Sequence, residues 1–406
     1  MMSDILKNKK KILIVTECFY PEEFKINDVA LDWQEKGYEI DVLTLVPTYP
    51  EGKIYPGFKN SFFYSKDKYK NINIFRIRAV TGYRDSLIKK FLRYINFMIL
   101  GSIIAVFNGK KYDYIFGWNG GALTDMLPAV LIHKIYNKPT MFWVQDVWPD
   151  SVYAYGFKKT KILSIPLNIF VRFMYRNISS IAISSKGFER KLKPYVKNDL
   201  KFSYAPNWAD DLNDDLDPAN IGSPGKIHFT FAGNIGKVQN LDRILEAYSQ
   251  LSDDCKNKSQ LHIIGDGSHL EYLKAISKNN KNIIFHGKKP RTEMSRYYKA
   301  SDFLIISLID KPIFEVTVPA KTQTYIAAKK PILAIINGDV AEIVKENKLG
   351  VCANPSDIQN IRSAFEKCIN MPESIRSEFS INNLTLLETT FNKDNIINKL
   401  IYKLVN

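Results

Sequence analysis

The feature that most limits the fold is an alternation. Short apolar runs of strand length are each followed by a segment with helical spacing, and this pattern runs once, breaks off and restarts. "KILIVTE" is a continuous apolar run, suited to a strand buried on both faces. "INDVALDWQEKG" then places Ile26, Val29, Ala30 and Trp33 on one helical face and stops at Gly37. "EIDVLTLV" completes a β-α-β order, and further strands are predicted at "INIFRIRA", "YDYIFGW", "PTMFWVQD" and "SIAISS". Strands separated by helices imply a mainly parallel sheet.

The break is "APNWADDLNDDLDPANIGSPG", residues 205–225, an aperiodic acidic stretch with Pro, Gly and Asn that predicts a linker. Beyond it come "IHFTFAG", "QLHIIGDG", "NIIFHG", "DFLIISL" and "PILAII", each followed by helix formers. The expected organisation is α/β with two Rossmann-like parallel-sheet domains, 1–204 and 226–380, whose strand ends face a central cleft, plus a helical segment, 381–406, packing back towards the first domain. Asp215 and Asp217 form a D-x-D of the kind that marks metal sites in some sugar-transferring enzymes. No strand ends there, so the expectation is a solvated linker and no metal.

Apolar residues make up 45% and charged ones 24%, a globular rather than disordered composition. Lys and Arg total 57 against 42 Asp and Glu, a net charge of +15. That surplus points to an anionic partner: nucleic acid, an acidic membrane or phosphorylated small molecules. Runs such as "KNKKK" read as solvated surface. Cys18, Cys255, Cys352 and Cys368 are scattered and fit reduced thiols of a cytoplasmic protein. The N-terminus shows no signal-like pattern. The longest apolar patch, "YINFMILGSIIAVF" at 94–107, falls short of the roughly 20 residues a spanning helix needs.

"FAGNIGKVQN", residues 231–240, has the strand–glycine–helix order of a phosphate loop but matches neither standard fingerprint. G-x-G-x-x-G lacks its glycines, and Gly236-Lys237 is followed by Val238 where a P-loop needs Ser or Thr. After the first strand, "CFYPEEF" has no glycine to admit a dinucleotide pyrophosphate.

The segments "FAGNIGKVQNLDRILEAY", "LHIIGDGSHLEYL", "IIFHGKKPRTEMSRYYKASDFLIISL" and "VPAKTQTYIAAKKPILAIINGD" resemble the donor-binding half of retaining glycosyltransferases of the GT-B fold, family 4. "FYPEEFKINDVALDWQEKGYEIDVLTLVPTYPEGKIYPGF" and "FWVQDVWPDSV" resemble a subgroup building bacterial O-antigen and capsule units, N-acetyl-L-fucosamine transferases among them. The resemblance implies a nucleotide-sugar donor, UDP-linked by default, as co-substrate with no further cofactor. It also implies a lipid-diphosphate-linked saccharide acceptor.

In such a site Gly233 and Gly236 would bring backbone N–H groups to the diphosphate. Asn234 stands where most members carry arginine, and Gln239 where they carry lysine. Counter-charge is then expected from Lys321, with Lys237 or Arg243 second. The family's paired glutamates, eight apart, fall on Val316 and Thr324. Glu315 is the expected sugar-binding acid, and Thr324 a weaker ribose partner. Gly265 and Gly267 would line the donor side. His286 would lie by the base, although His286 and His262 equally suit packed strand residues. Asp146 would act at the anomeric carbon or accept the acceptor's proton, or else cap a helix; Asp150 reads as structural. Tyr20, Glu22 and Glu23 would border the acceptor. Retention implies same-face attack, with the departing diphosphate assisting deprotonation.

The regions 83–111 and 157–176 set cations beside apolar surface, which favours an anionic cytoplasmic membrane face. A two-domain sugar-nucleotide epimerase would need more acids and histidines. A nucleic-acid-binding protein would need a basic stripe with a recognition motif, and none is present.

Overall fold

The computed structural model describes residues 9–84, 86–154, 157–209, 212–213 and 215–406. The Lys7–Asn8 start of the basic run, and Asp210, Asp211 and Asp214 of the acidic break, lie outside the described residues. Packing divides the chain into one unit of Met1–Pro206 with Ile396–Asn406 and a second of Asn207–Asn395.

The first unit is built on an eight-stranded sheet. Its strands are β1 (Lys11–Val15), β2 (Glu39–Leu45), β3 (Tyr64–Tyr69), β4 (Ile72–Ile77), β5 (Tyr114–Asn119), β6 (Thr140–Val144), β7 (Ser180–Ile183) and β8 (Phe202–Tyr204). Their order is β3-β4-β2-β1-β5-β6-β7-β8, all parallel except the β3–β4 pair. The chain moves outward from β1, then returns beside it as β5, so the strand order reverses at the β1/β5 boundary. β1 and β6 are near-continuous apolar runs because helices cover both faces. β3, "YSKDKY", was not foreseen: it alternates half-buried and exposed residues as an edge, and only pairing with β4 makes it a strand.

Helix Lys25–Glu35 buries the expected stripe, Ile26, Val29, Ala30 and Trp33. The apolar patch at 94–107 belongs to a longer helix, Leu87–Asn108, which is long and apolar enough to cross a membrane. The patch looked short because Lys89, Lys90 and Arg93 interrupt the run. This helix is nevertheless part of the packed unit: Arg93, Phe97, Gly101, Ile104 and Ala105 form its buried stripe. At Gly101 a Cβ would lie 3.0 Å from Pro128 and 3.1 Å from Ile77, so any larger residue would make these neighbours shift by a few tenths of an ångström. The opposite side exposes Leu87, Ile88, Phe91 and Phe107.

The second unit carries six parallel strands: β9 (Ile227–Ala232), β10 (Ser259–Ile264), β11 (Ile283–Gly287), β12 (Phe303–Ser307), β13 (Ile332–Ile335) and β14 (Gly350–Ala353). Their order is β11-β10-β9-β12-β13-β14, and the reversal falls at β9/β12. Phe229, Phe231, Leu261, Ile263 and Ile305 fill one side of the sheet, and Ala232, Ile264, Leu304 and Ile306 the other. The expected boundary at 380 falls inside helix Glu373–Thr389, and the tail read as one helical stretch is interrupted before a second helix, Lys393–Val405. Phe391, 1% exposed, anchors the break.

Candidate functional site

In open parallel sheets, ligands gather beyond the carboxyl ends of strands where the strand order reverses. In the second unit that place is the end of β9, where the loop "GNIGKVQ" leaves the sheet. β12 pairs with β9 only at Phe303↔Phe229 and Leu304↔Thr230, so beyond Thr230 the two strands part. The backbone of Ala232 is taken over by the Tyr325 hydroxyl, which receives its N–H at 3.1 Å and donates to its carbonyl at 3.3 Å. Tyr325 sits one turn after Lys321 on helix Ala320–Ala327, and side chains four apart share a face. Pinning Tyr325 at the strand end therefore aims Lys321 at the loop.

Lys321 Nζ lies 3.6 Å from the centroid of the Phe231 ring, and a Cβ at Gly233 would come within 2.7 Å of Lys321 Cε. Gly233 (φ +136) thus makes room for the lysine. Among the described residues the ammonium meets no carboxylate or hydrogen-bond acceptor, only the ring face. Burial lowers its pKa to about 7. Phe231 was not foreseen as part of the site. Its position as the penultimate residue of the strand before the loop was the available signal.

The amides behave differently from expectation. Gly233 N–H donates to Ile264 O at 2.9 Å and Ile235 N–H to Asp266 O at 2.8 Å. Gly236 N–H donates to the Gln239 side chain at 3.0 Å. Gly233 and Gly236 therefore do not offer their own amides, and Gln239 closes the turn rather than facing a ligand. The amides of Asn234, Lys237 and Val238 have no partner among the described residues, and Asn234 and Lys237 are exposed. Arg243 turns away and donates to Ser356 O at 2.8 Å.

Gly265 and Gly267 serve chain against chain. A Cβ at Gly265 would lie 1.9 Å from Gly233 O, and one at Gly267 2.3 Å from Ile235 O. Their missing side chains let the loop nest on the next strand's exit, a reason distinct from lining a donor. Val316 is fully buried, whereas Glu315 beside it is half-buried with no partner for its carboxylate among the described residues. Its carbonyl crosses Gly338, where a Cβ would lie 1.9 Å away. The Thr324 hydroxyl donates to Ala320 O at 3.1 Å within its own helix.

His286 belongs to a chain of three imidazoles across β9, β10 and β11. His228 Nδ1 meets His262 Nε2 at 2.9 Å, and His262 Nδ1 meets His286 Nε2 at 3.0 Å. Desolvation lowers all three, His262 to about 3, so the rings are neutral at pH 7. This is the packed alternative, and it leaves only Nδ1 of His286 uncommitted. Asp215 and Asp217 are exposed, and among the described residues no cluster of three or more His, Cys, Asp or Glu is arranged to hold a metal.

In the first unit Glu22 is only 3% exposed, and its Oε1 accepts the N–H groups of Thr48 at 2.8 Å and Tyr49 at 2.7 Å. It fastens two loops together rather than facing an acceptor. Tyr20 stacks on Tyr69 with ring centroids 3.7 Å apart, while Glu23 is exposed. Asp146 Oδ1 accepts from Val147 N–H at 3.0 Å and from the Ser151 hydroxyl, so this oxygen serves the turn into helix Asp150–Ala154. Burial raises its pKa. Asp150 pairs with Lys191 at 3.1 Å.

Residues 214–383 match the family described as glycosyl transferases group 1. The matched stretch lies wholly within the second unit. The chain is similar to "Probable glycosyltransferase WbjE" of Pseudomonas aeruginosa, 25% identical over 286 residues, 68% of this chain and 70% of that one. Solved structures align over nearly its whole length. WaaG, a glycosyltransferase involved in lipopolysaccharide biosynthesis, is 12% identical with TM-score 0.61, covering 97% of this chain and 99% of that one. The Anabaena protein HepE, in complex with UDP and glucose, is 13% identical with TM-score 0.63, covering 98% and 99%. The fold of the two units is GT-B. Within the matched residues, the β9 loop and Lys321 lie where the strand order reverses.

Proposed function

We propose that the protein is a retaining glycosyltransferase of family 4, moving an N-acetylated or deoxy hexose from a UDP-linked donor. The acceptor in this reading is a lipid-diphosphate-linked saccharide of O-antigen, capsule or exopolysaccharide synthesis. The observation that carries the reading is Lys321, a desolvated ammonium without counter-ion, held against the loop at the reversal point. A half-buried cation left unpaired is costly to the fold, which makes sense if an anion completes it.

The donor's diphosphate would sit over Gly233, with Lys321 as its counter-charge and the amides of Asn234, Lys237 and Val238 completing the cradle. That assignment needs no metal. As the bond to the sugar breaks, charge builds on the leaving diphosphate, and a cation already in place stabilises it without reorganisation. Glu315, whose carboxylate is unengaged, is the acid assigned to the donor sugar's hydroxyls. The group 1 family match, and UDP in the HepE structure, support this reading.

Thermal unfolding with UDP-, GDP- and dTDP-sugars tests it. UDP-sugars at 100-fold over Kd are expected to stabilise by about 2.7 kcal/mol, and absence of protection by every UDP compound would refute the uridine assignment.

The exposed apolar sides of helices Leu87–Asn108 and Lys161–Arg176, with Ile162, Ile165 and Ile169 outward and Lys158, Lys159 and Lys161 beside them, suit a peripheral seat on the inner, anionic leaflet. Co-sedimentation with vesicles is expected to need anionic lipid and to weaken in Ile162→Ser/Ile165→Ser. Equal binding to neutral vesicles would oppose the proposal.

A further inference from the structure

β9, β10 and β11 each contribute one imidazole to a diagonal row on one face of the second sheet: His228, His262 and His286. His262, in the middle, is 0% exposed, and the outer two are half-buried. The residues that lead into β9 lie across this row. Ile221 is buried, and a Cβ at Gly222 would stand 3.0 Å from Cε1 of both His228 and His262. Ser223 N–H donates to Gln260 Oε1 at 2.8 Å, and Ala219 N–H to Arg296 O at 3.0 Å. The Ser223 backbone in turn draws a proton onto His228.

Counting hydrogens fixes the row. Each N···N contact, 2.9 Å and 3.0 Å long, needs one hydrogen and tolerates only one. Three neutral rings supply three hydrogens, so the row has two arrangements, with every ring turned the same way. The Ser223 carbonyl selects the one with hydrogen on each Nε2, which leaves Nδ1 of His286 a bare acceptor. One added proton fits there, and both contacts survive. A second has no place: it sets N–H against N–H at one contact and gathers two cations around a ring shut off from water. Asp302, whose Oδ2 accepts the His228 main-chain N–H at 2.8 Å, favours charge on His228. Lys226 opposes it there, and Lys289 opposes it on His286, against which Tyr297 packs an uncharged ring.

We infer that the three imidazoles form a proton-sensitive latch, which holds residues 219–223 on the sheet while it carries at most one added proton and releases them when it takes a second. The contact that parts is His228–His262. His228 can swing towards solvent with its charge near Asp302, and Gly222 rests on both rings of that pair. The sign follows from linkage. Rings kept neutral in the latched form, and free to charge once it opens, weaken the latch as pH falls below their ordinary 6.5. Opening should rise about tenfold per pH unit for each proton that only the open form accepts. Acid thereby frees the end of the acidic stretch that joins the two β-α series.

Two-bond proton–nitrogen correlation NMR of protein labelled with 15N-histidine tests the row, and hydrogen exchange at several pH values tests the latch. At pH 7 His228, His262 and His286 are expected as Nε2–H tautomers, and His133 and His269, outside the row, serve as internal references. Between pH 7 and about pH 4.5, protection of the Ala219 and Ser223 amides, corrected for intrinsic exchange, should fall about tenfold per unit below 6.5 while that of β13 holds. His262→Leu cuts the row, lets the outer rings charge separately, and should flatten the response to under about twofold. Gly222→Ala leaves the histidines intact but sets a methyl on two rings, so the segment should already be open at pH 7. It keeps the test decisive if the first variant fails to fold. Mixed tautomers, or three rings titrating independently near 6.5, overturn the inference. So does protection lost in β13 together with the segment, a pH response that survives His262→Leu, or a Gly222→Ala segment as protected as wild type.

Discussion

Lys321→Met is expected to make the empty protein more stable and UDP binding about 30- to 150-fold weaker. Both effects have one cause. Burial alone lowers the Lys321 pKa to about 7 from 10.5, so the folded protein holds this proton less tightly than the unfolded chain. The sign follows: wild-type stability is lowest below pH 7 and rises between pH 7 and about 10.5, where the unfolded chain also loses the proton. Each pKa unit is worth about 1.4 kcal/mol, so removing the ammonium recovers a few kcal/mol at pH 6 and little near pH 10. Melting curves of both proteins at pH 6 and 9 measure this.

The binding loss is that of a charge-assisted contact, about 2–3 kcal/mol. Since free Lys321 is largely neutral above pH 7, binding a diphosphate there must draw in a proton. Calorimetry in buffers of different ionisation enthalpy should find little uptake at pH 6 and close to one proton at pH 8. Proton uptake at pH 8 that persists unchanged in Lys321→Met would show that another group holds the diphosphate.

Gly265→Ala should cost on the order of 3 kcal/mol or more and abolish UDP protection together with it. The new methyl would stand 1.9 Å from Gly233 O at φ +139, and the obstacle is main chain that carries the candidate site. Gly287→Ala is the control: φ is also positive, +68, but nothing lies within 4 Å, so only the backbone preference of about 1–2 kcal/mol is lost. Urea midpoints of the two variants give the comparison. Equal midpoints would mean that the β9 loop is free to move aside, and the close nesting would have no energetic role.

The same positions show how much a linear reading reaches. β1, β9 and the Ile26–Trp33 stripe were plain, because a fully buried strand and an amphipathic helix must write their burial into local periodicity. β3 was not, since a polar edge strand has no apolar signature and exists through its partner. Lys321 was named from a family resemblance, but the Phe231 ring beneath it lies 90 residues away in sequence, and the Tyr325 clamp that aims it closes on Ala232, 93 residues from that tyrosine. Gly265 and Gly267 were recognised as special for a ligand, and the fold supplies a reason of its own: they admit the chain's own backbone. Glu22 and Arg243 were chosen as charged residues near suggestive loops, and the fold commits both to main-chain groups. Arg93 was read as one of the cations beside the apolar patch that would face a membrane, and the fold instead buries it against Glu17, while Asp125 drew no attention, because nothing local marks a charge for burial beside a distant partner.

Local order along the chain is a matter of short-range sterics and solvent, and so the residue pattern alone determined that strands and helices alternate in two series about an acidic break. Which strands become neighbours is decided by hydrogen bonding between segments far apart in sequence. Only the folded sheets therefore place β5 beside β1 and β12 beside β9, and with those pairings the two points where the strand order reverses.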